Sequence, residues 1–402
     1  MINKVLLMTT LLLATVGVHA AISVPLQLVN EDDKVESTAW PVVSPLPAPQ
    51  GLRPCCAFGY DLHAQVLDMP VPFYELNNVV AANGIGEHRY NDSLLLGLVN
   101  LAGIGHEHNG IVYTSRGGFI DIAHVRDTAD MTVWLFSHLL PQLGQPFTLR
   151  LEDELAERHI VFNAFTPPET AGERYALAAW LAAHLAFQLA AWHEIAQWYG
   201  FESVPGFSEE VSAFSPEDLY SNLLGARIAV SLILDGQLAT SGMYDAAMNN
   251  ALRQALTQLG AKSETITRFQ FDMLDGKWWN SQRRVPEKYL VLHRNYDVSD
   301  SRLPTPVPGE KAAPLRLSLP HHWRNYSLDS LAQLQLRPGS NMVRLPLPQS
   351  WYSDANFPAL ATLAGARDNL SKVDEHSFIP LLKNLHQNFT GGGFLHMPDP
   401  IR

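Results

Sequence analysis

WLAAHLAFQLAAWHEIAQWYG, Trp180 to Gly200, is the stretch from which the rest of this chain is read. Ala and Leu fill nearly every free position, and neither Pro nor Gly occurs before Gly200. The pattern predicts one long helix, apolar around most of its circumference and therefore buried. Two polar sets interrupt it. His184 and Gln188 stand one turn apart on one side, while His193, Glu194 and Gln197 fall roughly opposite at about 100° per residue. An unpaired polar group in a core costs on the order of 1–3 kcal/mol. Partners for these side chains must therefore come from distant parts of the chain.

Working outward, FTLRLEDELAERHIVFNAF (147–165) has two β-rich arms about a charged middle and predicts a hairpin. GIVYTS (110–115) reads as a strand ending at Arg116-Gly117-Gly118, with a helix expected from Phe119 to Leu140, before Pro141. Ser215-Pro216-Glu217 has the composition of a helix start, with Ser as N-cap and Pro in the first turn, leading into DLYSNLLGARIAVSLIL. Further helices are expected over 243–259, 263–274, 354–366 and 377–388. Short β-like pieces (KYLVLHRNY, LRLSLP, NMVRLPLP) lie among the prolines after Gly276. The expected fold class is α+β. A mainly helical core domain with a hairpin spans 55–276, after an extended segment at 21–54, and a Pro-rich, partly β region follows over 277–402.

The chain has 402 residues, 47% of them hydrophobic, enough for a sizeable core. Lys4, the apolar run Val5 to Val16 and the exit Val18-His19-Ala20 have the form of a secretory signal peptide over residues 1–20. No cysteine stands at the cut, so a lipid anchor is not expected. Export to a bacterial periplasm is the favoured expectation, with release outside the cell the other, and no transmembrane segment is expected in the mature chain. A net charge of −12 without a basic cluster argues against nucleic acid as a partner.

HEIAQ (193–197) invites comparison with HExxH, in which two His bind zinc and the Glu is the base. Gln197 replaces the second His, and an amide is a poor zinc ligand, so further ligands must come from other elements. GGFIDIAHVRDTAD (117–130) offers Asp121, His124 and Asp127 along one slanting helix stripe. Carboxylates beside an imidazole orient it as a metal ligand or raise its basicity. SAFSPEDLYSN (212–222) offers Glu217 and Asp218, which first-turn helix electrostatics would also explain. Residues 63, 88, 159, 321 and 322, all His, are assigned no role.

Taken together, RPCCAFG (53–59), YTSRGGFIDIAHVRD (113–127), WHEIAQWYG (192–200) and SAFSPEDLYSN (212–222) resemble a secreted bacterial family, the domain of unknown function numbered 4056. The resemblance covers roughly residues 50–280. It implies export and the grouping of these stretches in one domain; it brings no activity or catalytic residue with it.

The residues themselves suggest convergence on one pocket. His124, Asp127, His193 and Glu217 are the expected ligands of a divalent metal, zinc or a harder ion, with Glu194 as base for a metal-assisted hydrolysis of a cell-envelope substrate. Two other readings stand beside it. One is a cysteine amidase or acyltransferase using Cys55 or Cys56 with His108 or His124. The other is a non-catalytic envelope binding or scaffold protein, in which the polar set is a buried network.

Overall fold

The computed structural model describes residues 28, 40–49, 53, 57–66, 69–91, 107–203, 208–338 and 357–371. The leader, Cys55, Cys56, His106, NMVRLPLP and the expected 377–388 helix lie outside the described residues. The fold is α+β, and the described residues form seven helices and several small antiparallel sheets. The strands are β1 (Leu62–Val66), β2 (Met69–Leu76), β3 (Ile111–Thr114), β4 (Gly118–Asp121), β5 (Phe147–Glu154) and β6 (Ala156–Phe162). They are followed by β7 (Ser301–Arg302), β8 (Leu317–Ser318), β9 (His322–Trp323), β10 (Tyr326–Ser327) and β11 (Ala332–Pro338). The helices are α1 (Ile122–Leu139), α2 (Ala171–Trp198), α3 (Asp218–Leu234), α4 (Ser241–Leu259), α5 (Glu264–Leu274), α6 (Leu328–Leu331) and α7 (Phe357–Ser371).

The stretch that anchors the sequence reading lies inside α2, which runs 28 residues and starts at a Thr170 cap accepting from the Glu173 amide. By length and composition α2 would pass for a membrane span, yet 89% of its most apolar window is buried inside the protein. Its neighbours supply that cover. α1 and α3 pack along it, and Trp192 Nε1 donates to the Glu154 carbonyl of the β5–β6 hairpin at 3.1 Å. β11 adds a third strand to that hairpin, in the order β11–β6–β5.

α1 and α3 approach closely because Gly225 carries no side chain at the crossing. A Cβ there would overlap the Val125 carbonyl oxygen. Asn222 Nδ2 spans the same crossing to Thr128 Oγ1 at 2.8 Å.

Three local expectations need correction. The segment from Phe119 to Asp121 is strand, not helix: it pairs with β3 (Ile111↔Asp121, Tyr113↔Phe119), and α1 begins only at Ile122. The cross-strand partner outweighs the helical pattern of the following residues. Ser215 does not cap α3 with its hydroxyl, which is buried with no hydrogen-bond partner among the described residues. The helix starts at Asp218, and the Asp218 carboxylate instead reaches back to the Ser215 amide at 2.7 Å. KYLVLHRNY is a short 3-10 turn (Lys288–Leu290) and irregular chain rather than a strand.

Candidate metal centre

The β3–β4 hairpin ends on Asp121, whose Oδ1 accepts from the Ala123 amide at 2.7 Å and so caps α1. That cap sets His124 in the first helical turn, with Nδ1 3.4 Å from Asp121 Oδ2. The other ring nitrogen, Nε2, lies 3.4 Å from Glu194 Oε1 on α2 and 3.7 Å from Asp218 Oδ1 at the start of α3. All three donor residues are buried, and their ligand atoms fall within 4.8 Å of one another. Donors about 2.0–2.2 Å from a tetrahedral ion stand roughly 3.3–3.6 Å apart. The buried triad of His124, Glu194 and Asp218, its donors slightly wider apart than that, is a group that could hold a metal.

The surrounding backbone aims these carboxylates. Glu194 Oε2 accepts from the Phe214 amide at 2.7 Å, and Asp218 Oδ2 accepts from the Ser215 amide at 2.7 Å. Each acid therefore has one oxygen engaged by the 213–217 turn and the other directed at His124. Phe214 adopts φ 58°, a left-handed conformation that costs a bulky residue about 1–3 kcal/mol. The turn is braced from outside. Arg294 donates to the Ala213 and Val211 carbonyls, the Asn295 amide to the Phe214 carbonyl at 2.9 Å, and Thr305 Oγ1 to the Pro216 carbonyl at 2.7 Å. On the α1 side, Ser221 Oγ accepts from the Asp121 amide at 3.0 Å and donates to the Glu217 carbonyl at 2.8 Å.

Glu217 is buried, and neither of its carboxylate oxygens has a partner among the described residues. Burial, then the nearby Asp121 and Glu194 charges, hold its carboxyl well above the ordinary range; the His124 ring opposes this without overcoming it. Asp218 is raised in the same way, by burial and then by Glu194, with Glu217 and Asp121 adding to it. Glu194 goes the other way. Burial resists its ionisation, but the hydrogen bond and charge of His124 outweigh that and lower it. No Arg or Lys among the described residues forms an ion pair with Glu194, Glu217 or Asp218.

The other two expected ligands face elsewhere. His193 Nδ1 lies 3.4 Å from Glu154 Oε1 on the β5–β6 hairpin, and the same oxygen takes Arg158 Nη1 at 2.8 Å. Burial opposes protonation of His193, and the Glu154 charge overrides it and raises the ring. Gln197, one turn on, donates to Glu209 at 3.0 Å. HEIAQ is thus divided between faces, as adjacent helix residues about 100° apart must be. Asp127 accepts from Arg53 Nη1 at 2.7 Å and from the Arg53 amide at 3.0 Å. Burial still pushes its carboxyl up to about 6, against the pull of Arg53.

His124 and Glu194 are brought together, with Glu217 alongside, while Asp127 and His193 are not in the donor set. Asp218 joins it instead. The available signal for Asp218 was its place beside Glu217 in SPED, which helix electrostatics explained equally well.

No curated protein and no solved structure matches this chain. The family model described as "Protein of unknown function (DUF4056)" matches residues 43–308, a span that contains Asp121, His124, Glu194, Glu217 and Asp218. The chain belongs to that family.

Proposed function

We propose that this protein is an exported, metal-dependent hydrolase acting on a cell-envelope substrate, with His124, Glu194 and Asp218 holding a divalent cation. The observation that carries the reading is an excess of buried acid. Glu194, Glu217 and Asp218 gather about one imidazole, and among the described residues no Arg or Lys comes within ion-pair distance of any of them; the buried Arg294 and Arg302 act on Glu194 and Asp218 only from farther off. Buried carboxylates need a cation or a proton, and donor atoms 3.4 and 3.7 Å from Nε2 leave the spacing an ion takes.

A divalent ion in such a place supplies Lewis acidity, polarising a carbonyl or phosphoryl group and making water acidic. The chain's own residues supply the rest. Asp121 at the Nδ1 side of His124 fixes the ring so that Nε2 presents its lone pair, the carboxylate–histidine arrangement of many metal sites. Glu194 serves as a ligand rather than as the base expected from HExxH. Glu217, whose carboxylate has no side-chain partner among the described residues, would be the proton acceptor, a role open to it only in the ionised form that a neighbouring cation would favour. A donor set dominated by carboxylates favours a harder ion, such as manganese, over a thiolate-type zinc site. Export rests on the leader-like first twenty residues.

The test is a hydrolysis panel of amide, ester and phosphodiester substrates of the envelope, run on full-length protein purified without chelator. Turnover should vanish on chelation, return with one divalent ion, and fall in Glu217→Gln at unchanged metal content. Turnover that survives complete chelation would end the proposal.

A further inference from the structure

Beside the 213–217 turn opens a cleft of about 370 Å³ whose lining includes Tyr113, Arg116, Asn295, Arg302, Thr305 and Arg316. Two of these residues, Asn295 and Thr305, are the ones that bond the backbone of Phe214 and Pro216, so the cleft shares a wall with the turn that presents Glu217 and Asp218. The turn between β3 and β4 lines it as well, through Ser115 and Arg116, as does Gly118 at the start of β4. YTSRGGFIDIAH therefore reaches both places: its SRGG turn borders the cleft, and its end carries Asp121 and His124.

The charge of this cleft is unusual for a chain of net charge −12. Three guanidinium groups line it, and none forms an ion pair with a carboxylate among the described residues. Each is held by backbone carbonyls: Arg116 by Ala313 and Gln258, Arg302 by Asp297, and Arg316 by Ser301. The two lining acids are already engaged. Glu310 accepts from the Tyr113 hydroxyl at 2.7 Å and from the Lys311 and Ala312 amides, and Asp297 accepts from the Ser299 amide. Arg302 is 3% exposed, and its Nε is buried with no hydrogen-bond partner among the described residues. A buried guanidinium with an idle donor is costly unless an oxyanion completes it. Burial lowers Arg302 to about 10, with Asp297, Asp218 and Glu194 only partly offsetting it.

We propose that this cleft is an oxyanion-binding site, in which Arg302, Arg116 and Arg316 receive a carboxylate or phosphate group. In the further role of holding the anionic end of the substrate beside the metal centre, it rests on the hydrolytic reading above. The forked, always-charged guanidinium suits either anion.

The test is isothermal titration of the full chain, kept in chelator, with inorganic phosphate and separately with acetate. One of the two should bind saturably, and the stronger identifies the group. Affinity should fall roughly tenfold in Arg116→Gln, as loss of one charge-assisted bond predicts. It should fall further in Arg302→Gln and hold in Arg283→Gln, an exposed arginine paired with Glu287. Arg116 is exposed, so its variant keeps the test on a folded protein. The titration is repeated in His124→Ala, where cleft binding should persist whatever becomes of the metal. Failure of both anions to saturate in the millimolar range, or equal affinity in wild type, Arg116→Gln and Arg302→Gln, would overturn the proposal.

Discussion

Helix α1 borders two buried polar clusters that are built from the same residue types and balanced differently. On one side, Arg53 reaches Glu107 at 2.6 Å, Asp127 at 2.7 Å and Asp130 at 3.0 Å. His88 lies between Glu107 and Asp130, at 3.1 and 3.0 Å, Arg126 approaches Glu107 at 3.7 Å, and the Tyr244 hydroxyl donates to Asp130. Burial works against protonation of His88, but Asp130 and Glu107 raise it all the same. Three acids there meet three cations. On the other side Asp121, Glu194 and Asp218 share His124, and the carboxylate of the neighbouring Glu217 has no hydrogen-bond partner among the described residues. In the first cluster every acid meets a cation of the chain itself within 4 Å, the charge balance that a structural network requires, although Arg126 Nε is buried without a hydrogen-bond partner among the described residues. In the second, the acids outnumber the cations within ion-pair reach among the described residues, and burial with mutual repulsion favours the protonated form of Glu217 and Asp218.

Breaking the balanced cluster should have the largest effect. Arg53→Ala removes the cation that three carboxylates share, two of them buried, and the expected loss is about 3–5 kcal/mol of unfolding free energy in urea denaturation. A loss below about 1 kcal/mol would mean that the first cluster is not a structural network, and the contrast would fail. Next comes the spacing between α1 and α3. Gly225→Ala forces the Val125 carbonyl away, so it should cost roughly 1–3 kcal/mol and weaken any ion held between His124 and Asp218. The third change has the opposite sign. In chelated protein, Glu217→Gln removes one unmatched acid while keeping its shape, and should be neutral or stabilise by roughly 1 kcal/mol. Destabilisation as large as that of Arg53→Ala would show that the acid excess is already satisfied.

The smallest effect concerns a third, half-exposed group. His184 on α2 meets Asp329 at 2.8 Å and Asp300 at 3.5 Å, Gln188 lies 3.0 Å from its Nε2, and His321 bridges the same two acids. Burial would lower His184, but the bonds to Asp300 and Asp329 raise it to about 9. Asp329 is lowered to about 2, chiefly by its bond to His184. The histidine's contribution is whole below its unfolded value near 6.5 and is lost as pH rises through about 9. The aspartate's is whole above about 4 and is lost as pH falls through about 2. The pair should therefore support the fold most between about pH 4 and 6.5. Comparing melting temperatures of wild type and His184→Gln at pH 6 and pH 9.5 checks this: the gap should narrow at the higher pH.

The contrast between the clusters also marks what could be read from the residues. Periodicity exposed the long buried helix, and its polar interruptions pointed to Glu194 without specifying the task. His124 stood out because apolar neighbours flank it. Asp127 shares its stripe, and no local rule reveals that Arg53, 74 residues upstream, captures it. His193 is drawn aside by Glu154, a partner that exists only after β5 and β6 pair and pack on α2. Asp218 looked like an ordinary first-turn acid; only the tertiary approach of α3 to α1 at Gly225 gives it His124 as a neighbour. His88 had no readable signal at all, because both of its carboxylate partners come from other elements.

The central claim is that the unbalanced cluster holds an ion, and direct titration of chelator-stripped protein with manganese and with zinc tests it. One equivalent should bind to the wild type, binding should be lost in His124→Ala and Asp218→Asn, and His193→Ala should keep it despite a lowered melting temperature. A wild type that binds neither ion, or a site that survives His124→Ala and disappears in His193→Ala, would contradict it.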